Sequence, residues 1–368
     1  MNKKLLLVTI EDRTNMGNRL QHYALQRVVE RLGFEVDSLM VKNAPEISLK
    51  SKAKNTIRFL LALTGLGRFR QSLSLINRAE KNLAFNDKHL HRVIRLSVDV
   101  VRQKNWEDYT YAITGSDQVW HNWHSTTIPD ELSFYYLEFI EEFKRVSYAP
   151  SFGFAFFPEE DLDAHHRGLM GMHALSCREQ EGCKMIQELT GRVAQKVQDP
   201  TLLLTAEEWA GIEKKPRFRT PRHYMLQFFL GEVTQDYRAE IERISNKYGL
   251  IVLNINDKND PRHYAISSDE FIWLIHHAHT ICTDSFHASV FSIKFGRNLR
   301  VFKRNQMGFE NMFDRLRNLL EPLGLMAVVY GEGDNLSTEL KDNAKAYMTA
   351  ERDKSLNYLK ESLSSYGD

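Results

Sequence analysis

At 368 residues the chain is too long for one small module and is expected to hold two domains. Hydrophobic residues make up 42% and charged residues 26%, ordinary globular usage that excludes wholesale disorder. Lys and Arg total 49 against 48 Asp and Glu, and the +1 balance excludes a general polyanion binder, so nucleic acid is not an expected partner.

Three cysteines, Cys177, Cys183 and Cys282, are too few for a disulfide framework and fit a reducing compartment. The apolar run 5–10 stops at Glu11-Asp12-Arg13, too short for the core of a signal peptide. No stretch reaches the ~20 apolar residues of a membrane span. A cytoplasmic protein is expected.

In chain order, the run 5–10 reads as a strand buried on both faces, followed by a polar loop to Asn18 and a helix over about 19–32 ended by Gly33. Residues 34–39 give the next strand, completing a βαβ unit of a doubly wound domain. Residues 47–78 break the rhythm: Lys50, Lys52, Lys54, Arg58, Arg68, Arg70 and Arg78 alternate with apolar residues. One or two basic amphipathic helices resting on an anionic membrane are expected there, against the plainer reading of a solvated cationic face. Strands return at 111–114 and 145–149.

A Lys/Arg/Pro-rich linker is expected over 214–222, followed by a second α/β unit. Its strands are expected at 223–230, 251–255, 280–283 and 299–302, and its helices at 236–248, 269–279 (capped by Ser268) and 287–295. Helices over 310–323 and 336–364 finish the chain. The expected organisation is an N-terminal Rossmann-like domain over 1–197 with a basic helical insertion at about 47–100, a C-terminal Rossmann-like domain over 198–335, and a helix over 336–368 returning to the first. This is an α/β fold of two facing Rossmann-like domains, glycosyltransferase-B-like.

Four loops after predicted strands carry the polar residues. Asn15, Gly17, Asn18 and Gln21 lie at a strand-to-helix turn, where N–H groups attract anions; the plain reading is a capped turn. Ser116, Asp117 and Gln118 are suited to sugar hydroxyls, with Trp120 or Trp123 to stack on a sugar, unless Asp117 is a cap and Trp120 is core. Arg178 offers a two-point grip on phosphate or carboxylate, or a surface pair with Glu181. His287, after Asp284, Ser285 and Phe286, stands where a strand runs into a helix and is the candidate acid or base. His165, His166, His276, His277 and His279 lack the HExxH spacing, so no metal is expected.

Together and in this order, residues 15–26 (NMGNRLQHYALQ), 114–120 (TGSDQVW), 147–153 (SYAPSFG), 176–182 (SCREQEG), 199–204 (DPTLLL) and 283–293 (TDSFHASVFSI) resemble the polysaccharide pyruvyl transferase family. The resemblance implies transfer of the pyruvyl group of phosphoenolpyruvate (PEP) to two hydroxyls of a sugar as a cyclic ketal, with no cofactor. It implies a role in exopolysaccharide, capsular or other cell-envelope synthesis, with a polyprenyl-linked glycan acceptor at the inner membrane face. The family's PEP-binding arginine matches Arg178, and the His of its TD-x-x-H motif matches His287. Read with the loops around them, PEP is expected at Arg178, Ser285, Phe286 and His287, with Lys303 or Arg304 after the last strand as weaker candidates for a second cationic contact. Catalysis is expected of His287, Arg178 and Asp284, and acceptor binding of Asn15, Gly17, Asn18, Gln21, Ser116, Asp117, Gln118 and Ser151. Ala288, Pro150 and Met16 depart from the family's usual residues. A nucleotide-sugar glycosyltransferase of the same fold and a non-enzymatic polysaccharide-assembly partner are the competing readings.

Overall fold

The computed structural model describes residues 3–41, 67–305 and 312–364. They divide into two compact units. The first holds 3–41, 86–204 and 350–364, and the second holds 67–85, 205–305 and 312–349.

In the first unit, β1 (Lys3–Val8), β2 (Phe34–Val41), β3 (Val93–Leu96), β4 (Tyr111–Thr114) and β5 (Arg145–Ser147) form a parallel sheet in the order β3-β2-β1-β4-β5. Leu5, Leu6, Leu7 and Val8 are buried, as a central strand covered on both faces requires. A two-stranded ladder, β6 (Ser176–Cys177) and β7 (Gln195–Lys196), belongs to the same unit. The second unit's sheet is β8 (Tyr224–Phe228), β9 (Ile251–Asn254), β10 (Thr280–Thr283) and β11 (Asn298–Val301), parallel, in the order β11-β10-β8-β9. Two parallel-sheet units and a C-terminal helix make the α/β, glycosyltransferase-B-like architecture expected from the sequence.

Several boundaries differ from expectation. The first helix, Met16–Arg31, starts three residues early because Asn15 caps it, accepting from Asn18 N at 3.3 Å. Its inward face carries the buried polar residues Asn18, Arg19, Gln21 and His22, which no hydropathy pattern reveals. Ser267, not Ser268, caps the helix Ser268–His276, and Glu270 closes the capping box. The last helix, Asp342–Ser364, begins six residues later than expected. Its residues from Ala350 cluster with the first unit, where Tyr358 Oη donates to Ser147 O at 2.8 Å.

The first unit extends to Leu204 rather than 197, because Asp199 is bonded into it. The basic segment expected to insert into the first domain is split. Residues 67–85 of the helix Gly67–His89 cluster with the second unit. Arg78 is buried there rather than turned to solvent or membrane. It donates to Tyr264 O at 2.8 Å and Ile255 O at 2.7 Å and lies 3.4 Å above the Tyr264 ring. Lys50, Lys52, Lys54 and Arg58, and the side chain of Arg68, fall outside the described residues. Among the described residues no helix is long and apolar enough to cross a membrane.

Candidate functional site

In open parallel sheets, ligands sit beyond the carboxyl ends of the strands where the strand order reverses. In the first unit that point lies between β1 and β4. The loops that follow these two strands line a cavity of about 370 Å³. Glu11, Asp12, Asn18, Asp117, Trp123 and Glu131 define its character: four carboxylates, an amide and an indole, with no Lys or Arg among the described residues of the lining. Of the other residues predicted for the acceptor, Asn15 and Gln118 also line it. Trp123 is about half exposed (48%), and its Nε1 donates to Gln118 O at 3.3 Å. Trp120 is wholly buried against Tyr136 and Phe152, so of the two tryptophans only Trp123 is placed to meet a ligand. Burial pushes the Glu131 carboxyl up, while N–H groups of Ser125 and Trp123 pull the other way.

Behind the cavity the remaining predicted residues form a network. Asn18 Nδ2 donates to Asp117, and Gln21 Nε2 donates to Ser116 Oγ at 3.1 Å and Asp199 Oδ2 at 2.6 Å. Ser151 N donates to Asp117 O at 2.8 Å, and Gly17 is buried in the first helical turn. Asp117 adopts a positive φ of 76°, a conformation costly for a residue with a side chain and held here by these bonds. The preceding Gly115 has φ 121°, and a Cβ there would lie 2.1 Å from Tyr148 O. Only glycine fits.

Arg178 is at the centre of this network. Its guanidinium bonds Glu179 Oε1 at 2.9 Å and Asp199 Oδ2 at 3.1 Å, and lies 3.7 Å from Asp117 Oδ1. Burial opposes the charge, but the carboxylates of Glu179, Asp117 and Asp199 outweigh it and hold the group firmly protonated. The sequence reading offered an anion clamp or a pair with Glu181. The arginine instead sits in a cage of three carboxylates, and its partner is the neighbouring Glu179. Two histidines are core residues. His22 lies between Thr9 Oγ1 and Ser38 Oγ, at 2.8 and 2.7 Å, and burial lowers its pKa to about 3. Burial likewise lowers His165, beside Tyr136 Oη, to about 4.

In the second unit the order reverses between β8 and β10. Asp284, directly after β10, accepts from Leu230 N at 2.7 Å and Gly231 N at 2.8 Å, binding the two loops at this point together. Its carboxylate holds the backbone after β8. Arg304 Nε lies 3.5 Å from Asp284 Oδ2, with a side chain only 10% exposed. A Cβ on Gly231 would meet Arg304 Cγ at 2.7 Å and Asp284 Oδ2 at 3.1 Å, so a larger residue would collide with this pair. Ser285 caps the helix Phe286–Lys294, accepting from Ala288 N at 3.4 Å. Phe286 and His287 fill its first turn, both partly buried. Lys303, the other cationic candidate, is half exposed and pairs with Glu332 at 3.3 Å.

The sequence reading missed Asp199, Glu131, Glu11 and Asp12 as site residues. Only Asp199 left a signal, in the segment DPTLLL. Among the described residues, one mixed group has metal-ligand chemistry: Glu213, His276 and His277.

The sequence profile of the family described as polysaccharide pyruvyl transferase matches residues 15–305. No curated protein sequence matches the chain. Among solved structures, a Listeria monocytogenes protein provisionally assigned as a UDP-N-acetylglucosamine 2-epimerase is similar at TM-score 0.51 and 11% identity, covering 100% of this chain and 93% of that one. The UDP-GlcNAc 2-epimerase of Methanocaldococcus jannaschii gives 0.49 and 9%, covering 96% and 93%. The Neisseria meningitidis UDP-GlcNAc 2-epimerase bound to UDP-GlcNAc gives 0.45 and 11%, covering 98% and 94%. At these identities the likeness is one of fold. With the profile spanning both units and all four predicted loops, the chain belongs to the polysaccharide pyruvyl transferase family.

Proposed function

We propose that this protein transfers the pyruvyl group of PEP to two hydroxyls of one sugar in a polysaccharide precursor, closing a cyclic ketal. The family match over residues 15–305 carries this reading. The chemistry adds a proton to the PEP methylene and a sugar oxygen to C2. The C2–O bond to phosphate then breaks, phosphate leaves, and the second hydroxyl closes the ring, each hydroxyl giving up its proton. It requires a sugar site, cationic and N–H contacts for phosphate and carboxylate, and an acid–base group.

The cavity of the first unit suits the sugar, with Trp123 offering a flat apolar face and Asn18, Asp117 and Gln118 offering hydroxyl partners. Its carboxylates repel a multiply charged anion, so PEP is assigned to the second unit. There Arg304 supplies positive charge, the first turn of Phe286–Lys294 supplies N–H groups, and His287 is the proton carrier. Arg178, encircled by carboxylates, acts in this reading by positioning Asp117 rather than by holding PEP. The acceptor is taken to be lipid-linked, as the family implies.

The second reading, a nucleotide-sugar enzyme, draws on the fold shared with the Listeria monocytogenes protein provisionally assigned as a UDP-N-acetylglucosamine 2-epimerase. Phosphate release from PEP across a panel of free and lipid-linked glycans separates the two. Acceptor-dependent release supports pyruvyl transfer. No release, together with a rise in melting temperature caused by UDP or a UDP-sugar and not by PEP, supports the second reading.

A further inference from the structure

On the second unit, before the amino end of β10 (His287 follows its carboxyl end), two neighbouring histidines close on one carboxylate. His276 Nδ1 lies 2.7 Å from Glu213 Oε2, and His277 Nε2 lies 3.1 Å from Glu213 Oε1. Adjacent helical residues normally point about 100° apart. They converge here because His277 caps the C-terminus of Ser268–His276 and because the two rings use different nitrogens.

Both rings are held. His276 stacks on Phe295 with centroids 4.2 Å apart, and His277 stacks on Trp273 at 4.4 Å. The segment carrying Glu213 is also pinned to the helix. Lys214 N donates to Asp269 O at 3.1 Å, and Lys214 Nζ lies 3.4 Å from Glu270, a carboxylate it shares with Lys81. Lys215 lies over the Trp273 ring, 5.7 Å from its centroid.

We infer that Glu213, His276 and His277 form a site for a late first-row divalent cation, with Zn²⁺ the best fit. Their ligand atoms all lie within 4.8 Å of one another. A tetrahedral ion with bonds of about 2.0–2.2 Å needs ligand separations near ~3.4 Å, a small closing movement. Two imidazoles and one carboxylate favour Zn²⁺, Co²⁺, Ni²⁺ or Cu²⁺ over Mg²⁺ or Ca²⁺. The group is partly exposed, so the fourth position goes to water. The ion would fasten the segment after the helix Ala206–Ala210 to the helix Ser268–His276, a structural role that needs no part of the transfer reaction.

The test is titration of the tag-free full chain with Co²⁺, read by its visible ligand-field absorption, and with Zn²⁺ by calorimetry. One equivalent with tetrahedral Co²⁺ bands is expected, displaced by Zn²⁺. His276→Ala and Glu213→Gln should each weaken Zn²⁺ by more than about 100-fold, beyond the 10–100-fold typical of outer-shell partners. His263→Ala, outside the group, should bind as the wild type does. The absence of saturable binding to the wild-type chain overturns the site, whatever the variants do. So does undiminished binding in folded His276→Ala and Glu213→Gln chains, which would place the ion on other histidines.

Discussion

The two switch points are built alike and charged differently. In the first unit the loops after β1 and β4 surround a cavity with four carboxylates; Arg13 pairs with one of them, Glu11, at 3.4 Å, and Arg178 is locked among Glu179, Asp117 and Asp199. In the second unit the loops after β8 and β10 carry two carboxylates, the exposed Glu232 and the buried Asp284. Asp284 is occupied by the N–H groups of Leu230 and Gly231 and lies 3.5 Å from Arg304 Nε, with His287 three residues further along the chain. The same topology thus offers a carboxylate-rich cavity on one sheet and, on the other, a point where Arg304 faces the buried Asp284. The lesson concerns Arg178: an arginine after a strand has to be read with its neighbours, here three carboxylates.

Substitutions at the two points should therefore fail in different ways. The largest effect is expected at His287. His287→Ala should cut turnover by about 10²–10⁴-fold while the melting temperature stays within a few degrees. His287→Gln separates proton transfer from hydrogen bonding, since near-normal turnover across pH 6–8 in that variant would make the residue a binding group.

At the first point the expected loss is one of stability. Asp199 is buried and accepts from Arg178, Gln21, Thr201 N and Thr201 Oγ1. Asp199→Ala leaves Arg178 buried without one of its counter-charges and should cost about 3–5 kcal/mol in urea denaturation. Arg178→Lys, which keeps the charge and loses the fork, should fall between wild type and that value. A PEP defect in Arg178→Lys without loss of stability would return the residue to the anion site.

The strands and the four loops were legible because buried parallel strands leave continuous apolar runs and loops at their ends are polar. The start at Met16 was not legible, since Asn18, Arg19, Gln21 and His22 turn polar groups inward. Arg78, read as part of a cationic face, is buried by carbonyls and a tyrosine ring nearly 200 residues away. The carboxylate cage of Arg178 depends in the same way on Asp117 and Asp199, which only the fold brings together. Charge pattern along a chain reports composition, and pairing is a tertiary fact.

Smaller effects sharpen the contrast further. His22 and His165 are held neutral by burial, with pKa values lowered to about 3 and about 4. Below the ordinary value of about 6.5 the unfolded chain takes up protons that the folded chain refuses. Stability is therefore level above that pH and falls as pH drops toward 3–4, by at most ~1.4 kcal/mol per pH unit for each histidine. His22→Gln should remove about one proton of uptake on unfolding between pH 4 and 6, measured by calorimetry in two buffers. Smallest is Trp123→Ala, expected to raise the acceptor KM about tenfold, ~1.4 kcal/mol, with PEP affinity unchanged. An unchanged acceptor KM would remove the indole from the sugar site.

The central claim, that PEP is held by the second unit and the sugar by the first, is tested most directly by calorimetric titration of PEP into three chains: wild type, Arg304→Ala and Trp123→Ala. The account predicts saturable PEP binding to the wild type, the same affinity in Trp123→Ala, and a loss of about 2–5 kcal/mol in Arg304→Ala. Full PEP affinity in a folded Arg304→Ala chain, or affinity lost in Trp123→Ala instead, would contradict it.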